Sequence, residues 1–332
     1  MSSKKKILDS FVVTRKPPLN ISQSDLALFE PSFSCEIPSN YFYVLNNAYV
    51  VDDTIFSFQN LKFYINETHL IGSKFSSVQK INYLKKIIFN KIKNTDQLIW
   101  ITMNWTEMYF HWLFDALSRL ILIEEFFNDY KVVLPSSYKK FSYVHESLKL
   151  LDFEVVYYEN NEVLKVKHLV LPSHTAPTGN YNLSLIIKLK DRLLGSVINF
   201  AKKNQNKRIF ISRSKASRRV LINEIELYTL LAKYNVEFHC FEDYTLEQQI
   251  ILSNSCSFMT GLHGAGFSNM IFMEPNSSIF EIQAKNNHMN VFYSLATELN
   301  FNYYYINSNF NADNDLVIDV EEYEKVLQKI LI

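Results

Sequence analysis

The stretch Ser257-Phe258-Met259-Thr260-Gly261-Leu262-His263-Gly264-Ala265-Gly266-Phe267-Ser268-Asn269 holds three of the chain's six glycines. An apolar run leads in, and a second one, Met270-Ile271-Phe272-Met273, leads out. Strand, glycine turn, helix start is the order of an α/β unit, and it aims unpaired backbone N–H groups at a bound anion. Glycine lets the backbone approach a ligand and adopt positive φ. The spacing is GxxGxG, whereas the dinucleotide fingerprint is GxGxxG and opens its domain. Here the turn follows the third strand of its unit, which disfavours a nicotinamide site. A phosphorylated ligand is expected on Gly264, Ala265 and Gly266, with His263 inside the turn.

Outward from the turn, apolar runs and helical periodicities alternate. Strand 208–212, helix 223–234, strand 236–241, helix 245–253, strand 258–260, strand 278–282, helix 290–299 and strand 303–306 predict a doubly wound domain. Upstream, strand 97–101, helix 109–128, strand 131–135, helix 142–151 and strands 154–158 and 166–171 predict a second α/β layer on a mainly parallel sheet. A loop at 172–182, a helix at 183–203 and a polar joint at 202–207 connect the two. Residues 1–95 read as short strands and turns. The expected architecture is two Rossmann-like domains facing a cleft, 1–204 and 205–332, with the last helix free to pack back on the first.

At 332 residues the chain exceeds one ordinary small core. Its 34 Lys and Arg balance 34 Asp and Glu, so no overall basic field favours nucleic acid. Cys35, Cys240 and Cys256 form no CxxC pair, which argues against a disulfide framework or structural zinc. Pro17 and Pro18 interrupt the chain before any adequate leader, and no run of about 18 apolar residues suggests a membrane span. A cytoplasmic location is the expectation.

Two further clusters carry candidate chemistry. Ser212-Arg213-Ser214-Lys215-Ala216-Ser217-Arg218-Arg219 follows the first strand of the second domain, at the edge where open α/β sheets bind ligands. Guanidinium forks match phosphate oxygens, so Arg213 and Arg219 join the anion site. In the first domain, His111, Asp115 and Arg119 fall at i, i+4 and i+8, on one helical face that Glu107 would extend. Asp115 would fix the tautomer of His111 and raise its basicity, as a general base requires, and a surface ion-pair ladder has the same spacing. Glu281, at a strand end, reads as an exposed strand-end acid or as an acceptor for ribose hydroxyls. Asp313-Asn314-Asp315 has the form of a carboxylate pair but sits in a polar stretch that reads as loop. His145, His168, His174, His239 and His288 show no ligand spacing. The basic amphipathic segment 83–93 suits a surface helix, or contact with an anionic bilayer.

In order and spacing these segments resemble the glycosyltransferase family 61 catalytic domain, the type found in capsular polysaccharide enzymes. His111, Trp112, Asp115 and Arg119 match its first block. Ser212, Arg213, Arg219, Asn223 and Glu224 match the second, and Glu247 and Gln248 the third. Gly261, His263, Gly264, Ala265, Gly266, Asn269, Phe272, Pro275 and Glu281 match the last. The resemblance covers roughly residues 100–285. It implies a GT-B fold, inversion at the anomeric carbon and chemistry with no metal or other cofactor. It also implies a nucleotide-sugar donor held by Arg213, Arg219, His263, Gly264, Ala265, Gly266, Asn269 and Glu281, with His111 and Asp115 as the catalytic pair. The acceptor would be a glycan or lipid-linked saccharide in bacterial surface-polysaccharide synthesis, with peripheral attachment to the inner membrane face left open. The alternative reading is a catalytically silent, sugar-nucleotide-binding partner of an assembly complex.

Overall fold

A computed structural model describes residues 3–197, 206–216, 219–309, 311 and 315–331. The chain divides into two compact units, Met1–Phe11 with Glu36–Leu193, and Val12–Cys35 with Leu194–Ile332. The first 204 residues therefore do not form one piece: residues 12–35 leave the first unit and join the second. In chain order the strands of the first part are β1 (Ser3–Leu8), β2 (Phe11–Thr14), β3 (Ser34–Ile37), β4 (Asn40–Val51), β5 (Thr54–Ser57) and β6 (Lys62–Phe63). They continue with β7 (Lys91–Ile99), β8 (Lys131–Pro135), β9 (Val155–Tyr158) and β10 (Glu162–Pro172). Strands β2 and β3 pair with each other where the chain makes this excursion.

The first sheet runs β6-β5-β4-β10-β7-β8-β9, with β1 also on β4. Strands β10, β7, β8 and β9 are parallel neighbours. Strand β4 is antiparallel to β10, β1 and β5, and β5 to β6. The strands expected between 97 and 171 are thus parallel, and β1, β4, β5 and β6 extend the sheet antiparallel, so the whole is mixed. The β4–β5 pairing has a local reason: Asp52 and Asp53 alone separate the two strands, and Asp52 takes φ 47°. A two-residue connection closes a hairpin and leaves no room for the crossover that a parallel pair requires. The helix Ser77–Phe89, opened by a Ser76/Gln79 capping box, stops just before β7 begins at Lys91. The basic segment 83–93 is therefore split between a helix and a strand.

Helix 109–128 is realised as Tyr109–His111, a π segment Trp112–Leu117, and Ser118–Ile123. The face carrying Asp115 and Arg119 is buried, so Arg119 does not continue a surface ladder. Its guanidinium is fully buried. It donates to the carbonyls of Ile101 at 3.1 Å, Glu67 at 2.7 Å and Pro172, which lie beyond β7, on the short helix Ile65–Thr68 and at the end of β10. Glu107 precedes the helix and accepts from the Ser137 hydroxyl at 3.0 Å. Nearby, His174 is buried with its Nε2 2.9 Å from the His69 carbonyl. Burial, reinforced by the charge of Arg119, holds its pKa down to about 3.

The second unit carries β11 (Lys207–Ile211), β12 (Val236–His239), β13 (Cys256–Leu262), β14 (Ser278–Ala284) and β15 (Asn302–Ser308). All four pairings are parallel and the order is β12-β11-β13-β14-β15. The chain reverses direction at β11, so β11 and β13 flank a topological switch point, where such sheets bind ligands. The last helix, Val320–Leu331, covers this same sheet: Tyr323 stacks on Phe280 at 4.6 Å and bonds Thr260 at 2.7 Å. Residues 12–35 are held to this unit by Phe29, packed among Tyr293, Tyr303 and Tyr305, and by a buried ion pair between Arg15 and Glu298. Asp313 and Asn314 lie outside the described residues, while Asp315 accepts the Val220 N–H at 2.9 Å. Among the described residues no helix is long and apolar enough to cross a membrane.

Both buried groups are open to measurement. Arg119→Ala strips donors from the Ile101, Glu67 and Pro172 carbonyls and leaves the Glu67 carboxylate without its counter-charge, so urea unfolding should show a loss of about 3–5 kcal/mol. His174 protonates near pH 3 in the folded protein and near 6.5 when unfolded. Its contribution is therefore intact above pH 6.5 and is lost as pH falls toward 3, at about 1.4 kcal/mol per pH unit. His174→Gln should flatten that limb in stability measured across this window.

Candidate active site

Each unit holds a histidine bonded through Nδ1 to a carboxylate, at the carboxyl-end edge of its parallel strands. In the first, His111 Nδ1 lies 2.6 Å from Asp115 Oδ2. The i, i+4 spacing predicts this contact, and the helix delivers it. Asp115 is buried, and desolvation raises its pKa, opposed by His111 and Arg119. With Nδ1–H donated to the carboxylate, the Nε2 lone pair of His111 points away from Asp115 as a proton acceptor. Among the described residues no hydrogen bond occupies that nitrogen.

The Trp105 ring lies 5.4 Å from the His111 ring, half-exposed, on a backbone with φ 75°. A left-handed tryptophan stores of order 1–3 kcal/mol of strain, and it lines a pocket of about 490 Å³. Asn104, Asp53, Glu107, Tyr138 and Asn160 also line that pocket. Its walls come from just beyond β7, β8 and β9 and from the β4–β5 turn. Sequence reading missed Trp105 and Asp53, because neither a strained turn nor a hairpin tip carries a periodic signal.

In the second unit, the ends of β11 and β13 meet. A β-carbon on Gly261, at φ 152°, would stand 2.7 Å from the Ile211 carbonyl oxygen, and one on Gly266 would stand 2.9 Å from Ile211 Cγ2. These two glycines thus serve strand and loop packing, not the approach of a ligand. Gly264 differs: its missing β-carbon leaves room for the Arg213 guanidinium, whose Nη1 would lie 2.2 Å from such an atom. Arg213 is oriented by Nε donation to the Arg219 carbonyl at 2.9 Å. Arg219 turns that carbonyl inward by adopting φ 58°. Arg218 lies outside the described residues.

The helix after the turn is a 3-10 helix, Ala265–Phe272, and not the expected α-helix; Phe267 N–H closes its first turn on Gly264 O at 3.0 Å. The first N–H groups of either helix type lack internal acceptors. Among the described residues those of Gly264, Ala265 and Gly266 donate to nothing. Three unpaired N–H groups and a guanidinium therefore sit together at the switch point.

Glu281 and Asn269 are placed differently from expectation. Glu281 is fully buried, so it is no exposed ribose acceptor. It accepts from Tyr303 at 2.6 Å and Gln283 at 3.0 Å, and its other oxygen lies 2.5 Å from His263 Nδ1. The parallel register sets Glu281 beside Gly261, within reach of the turn that begins two residues later. Glu281 therefore positions His263, whose ring rests on Phe292 at 5.0 Å. Asn269 is also buried and donates to Gln249 Oε1 at 3.0 Å and to the Gly266 carbonyl at 3.2 Å. It fixes the turn from behind, because its amide is spent on the protein.

The two glycines should separate in experiment. Gly261→Ala meets rigid backbone at positive φ and should lower stability by about 2 kcal/mol or more in chemical denaturation. Gly264→Ala meets only the far end of a flexible arginine, so its midpoint should stay near that of the wild type.

The Glycosyltransferase 61 family model matches residues 109–280, more than half of the chain. No curated protein matches it. The match runs from the helix carrying His111 and Asp115 through the Arg213 loop and the glycine turn to β14. A mixed α/β protein with parallel strands and a candidate site in each unit accords with it. The chain belongs to glycosyltransferase family 61, whose members transfer sugars.

Proposed function

We propose that the protein moves a sugar from a nucleotide-sugar donor to a glycan hydroxyl with inversion, in bacterial surface-polysaccharide synthesis. The observation that carries the donor reading is the Arg213 guanidinium seated on Gly264 beside the unpaired N–H groups of Gly264, Ala265 and Gly266. A diphosphate bound there is met by one full positive charge and three fixed dipoles. His263, held by the buried Glu281, adds a donor when protonated, and Arg219 shapes the loop. Charge that develops on the leaving diphosphate is stabilised by these groups, so the reaction needs no divalent cation.

The acceptor hydroxyl loses its proton to Nε2 of His111 as its oxygen attacks the anomeric carbon in one displacement, and the donor's glycosidic C–O bond breaks toward the diphosphate. Asp115 stabilises the imidazolium that forms. Desolvation of Asp115 serves this role, because an anion in poor solvent is stabilised most when its neighbour becomes a cation. The acceptor sugar stacks on Trp105 in the adjoining pocket, whose amides and carboxylates suit sugar hydroxyls. Transfer from the one site to the other requires the two units to face each other, the GT-B arrangement.

The test is thermal stability with a panel of nucleoside diphosphates and nucleotide sugars, with and without EDTA. One nucleotide should stabilise the protein equally in both, by about 2.7 kcal/mol at a hundredfold excess over Kd. Arg213→Ala and Gly264→Ala should both abolish that shift while leaving the unliganded midpoint in place. His111→Ala should keep the shift and lose roughly 100-fold or more in turnover. Absence of a shift with any nucleotide would sink the donor site, and a shift without transfer would favour the silent partner.

A further inference from the structure

Helix Ser77–Phe89 packs by one side only. Ile87 is buried, and Tyr83 and Leu84 pack beside it against Val51, Phe56 and Val163. The opposite side shows water Val78 at 67%, Ile81 at 51%, Ile88 at 66% and Phe89 at 79% exposure. Positions i, i+3, i+10 and i+11 form one stripe along a helix, and a contiguous apolar stripe is rarely left bare without a partner.

Its charge says which partner. Residues 73–95 contain six lysines and no Asp or Glu, in a chain whose charges balance overall. Lys74, Lys80, Lys85, Lys91 and Lys93 are exposed, and Lys85 falls within the apolar stripe itself. A second copy of the chain would set like charges against each other. Apolar side chains flanked by lysines are instead the two signals by which an interfacial helix holds an anionic bilayer. We infer that the outer face of helix Ser77–Phe89, continued by Lys91 and Lys93 at the start of β7, docks the protein on a membrane surface rich in anionic lipid.

The inner face of the same helix grips the pocket beside Trp105. Lys86 Nζ pairs with Asp52 at 2.6 Å, and the Tyr83 hydroxyl donates to Asp53 Oδ1 at 2.9 Å. Docking through the outer face therefore holds that pocket at the bilayer surface, where a lipid-linked saccharide displays its sugar. This last consequence rests on the proposed acceptor site; the docking does not.

Flotation of the full chain with vesicles tests the docking and involves no donor or transfer. The protein should float with vesicles of phosphatidylcholine containing ~30% phosphatidylglycerol and not with phosphatidylcholine alone, because the attraction is to anionic headgroups. Salt at about 1 M, where the screening length is about 3 Å, should release most of it. Lys85→Gln/Lys91→Gln/Lys93→Gln should weaken partitioning about fivefold per lysine. Ile81→Glu/Ile88→Glu should weaken it at least tenfold, since both apolar insertion and charge are reversed. All these positions are exposed, and unchanged circular dichroism would confirm the fold. Failure to float with the anionic vesicles, equal flotation with neutral ones, or wild-type flotation by either variant would overturn the inference. Dimerisation that Ile88→Glu abolishes, without flotation, would assign the stripe to a second copy instead.

Discussion

The second unit is organised by how closely the carboxyl ends of β11 and β13 approach. Gly261 and Gly266 have no space for a β-carbon because Ile211 fills it. That contact draws the Arg213 loop over the glycine turn, and Gly264 then accepts the guanidinium in the space its own side chain would need. The unpaired N–H groups, the arginine and His263 converge because the two strands do. Three glycines in one turn thus do different things: two bring strand ends together, and one makes room for a charge.

The two histidine–carboxylate pairs are alike in chemistry and unlike in construction. His111 and Asp115 are four residues apart on one helix, so their contact is local and the helix alone enforces it. His263, just past β13, and Glu281, on β14, are brought together by neighbouring strands, and Glu281 is tied to Tyr303 and Gln283 from the side away from the histidine. The first histidine keeps an open nitrogen beside an exposed tryptophan, as a proton acceptor requires. The second is braced by the buried Glu281 carboxyl group, which fixes its ring in place. Phe29, from the excursion at residues 12–35, packs on Tyr303 and so stands behind this bracing.

The first unit is organised by Arg119. Its buried guanidinium collects carbonyls from beyond β7, from the end of β10 and from helix Ile65–Thr68. Of these, the segment beyond β7 also walls the Trp105 pocket. The helical face that a surface ladder would also fit is buried, Asp115 together with Arg119.

The sequence by itself determined the features that repeat or recur over short range. The alternation of apolar runs specified the five-stranded unit nearly element by element, the glycine cluster marked the turn that ends β13, and the i, i+4 pair named His111 with Asp115. Tertiary structure alone decided the rest. It paired β4 antiparallel with the distant β10, sent residues 12–35 to the second unit, buried the Glu281 and Asn269 that were expected to hold the donor, and set Trp105 against His111 at positive φ. The physical reason is range: periodicity and local spacing are fixed by backbone geometry, which a sequence carries directly. A residue's partner across strands depends on which distant apolar surfaces bury each other, and that is settled only when the whole unit packs.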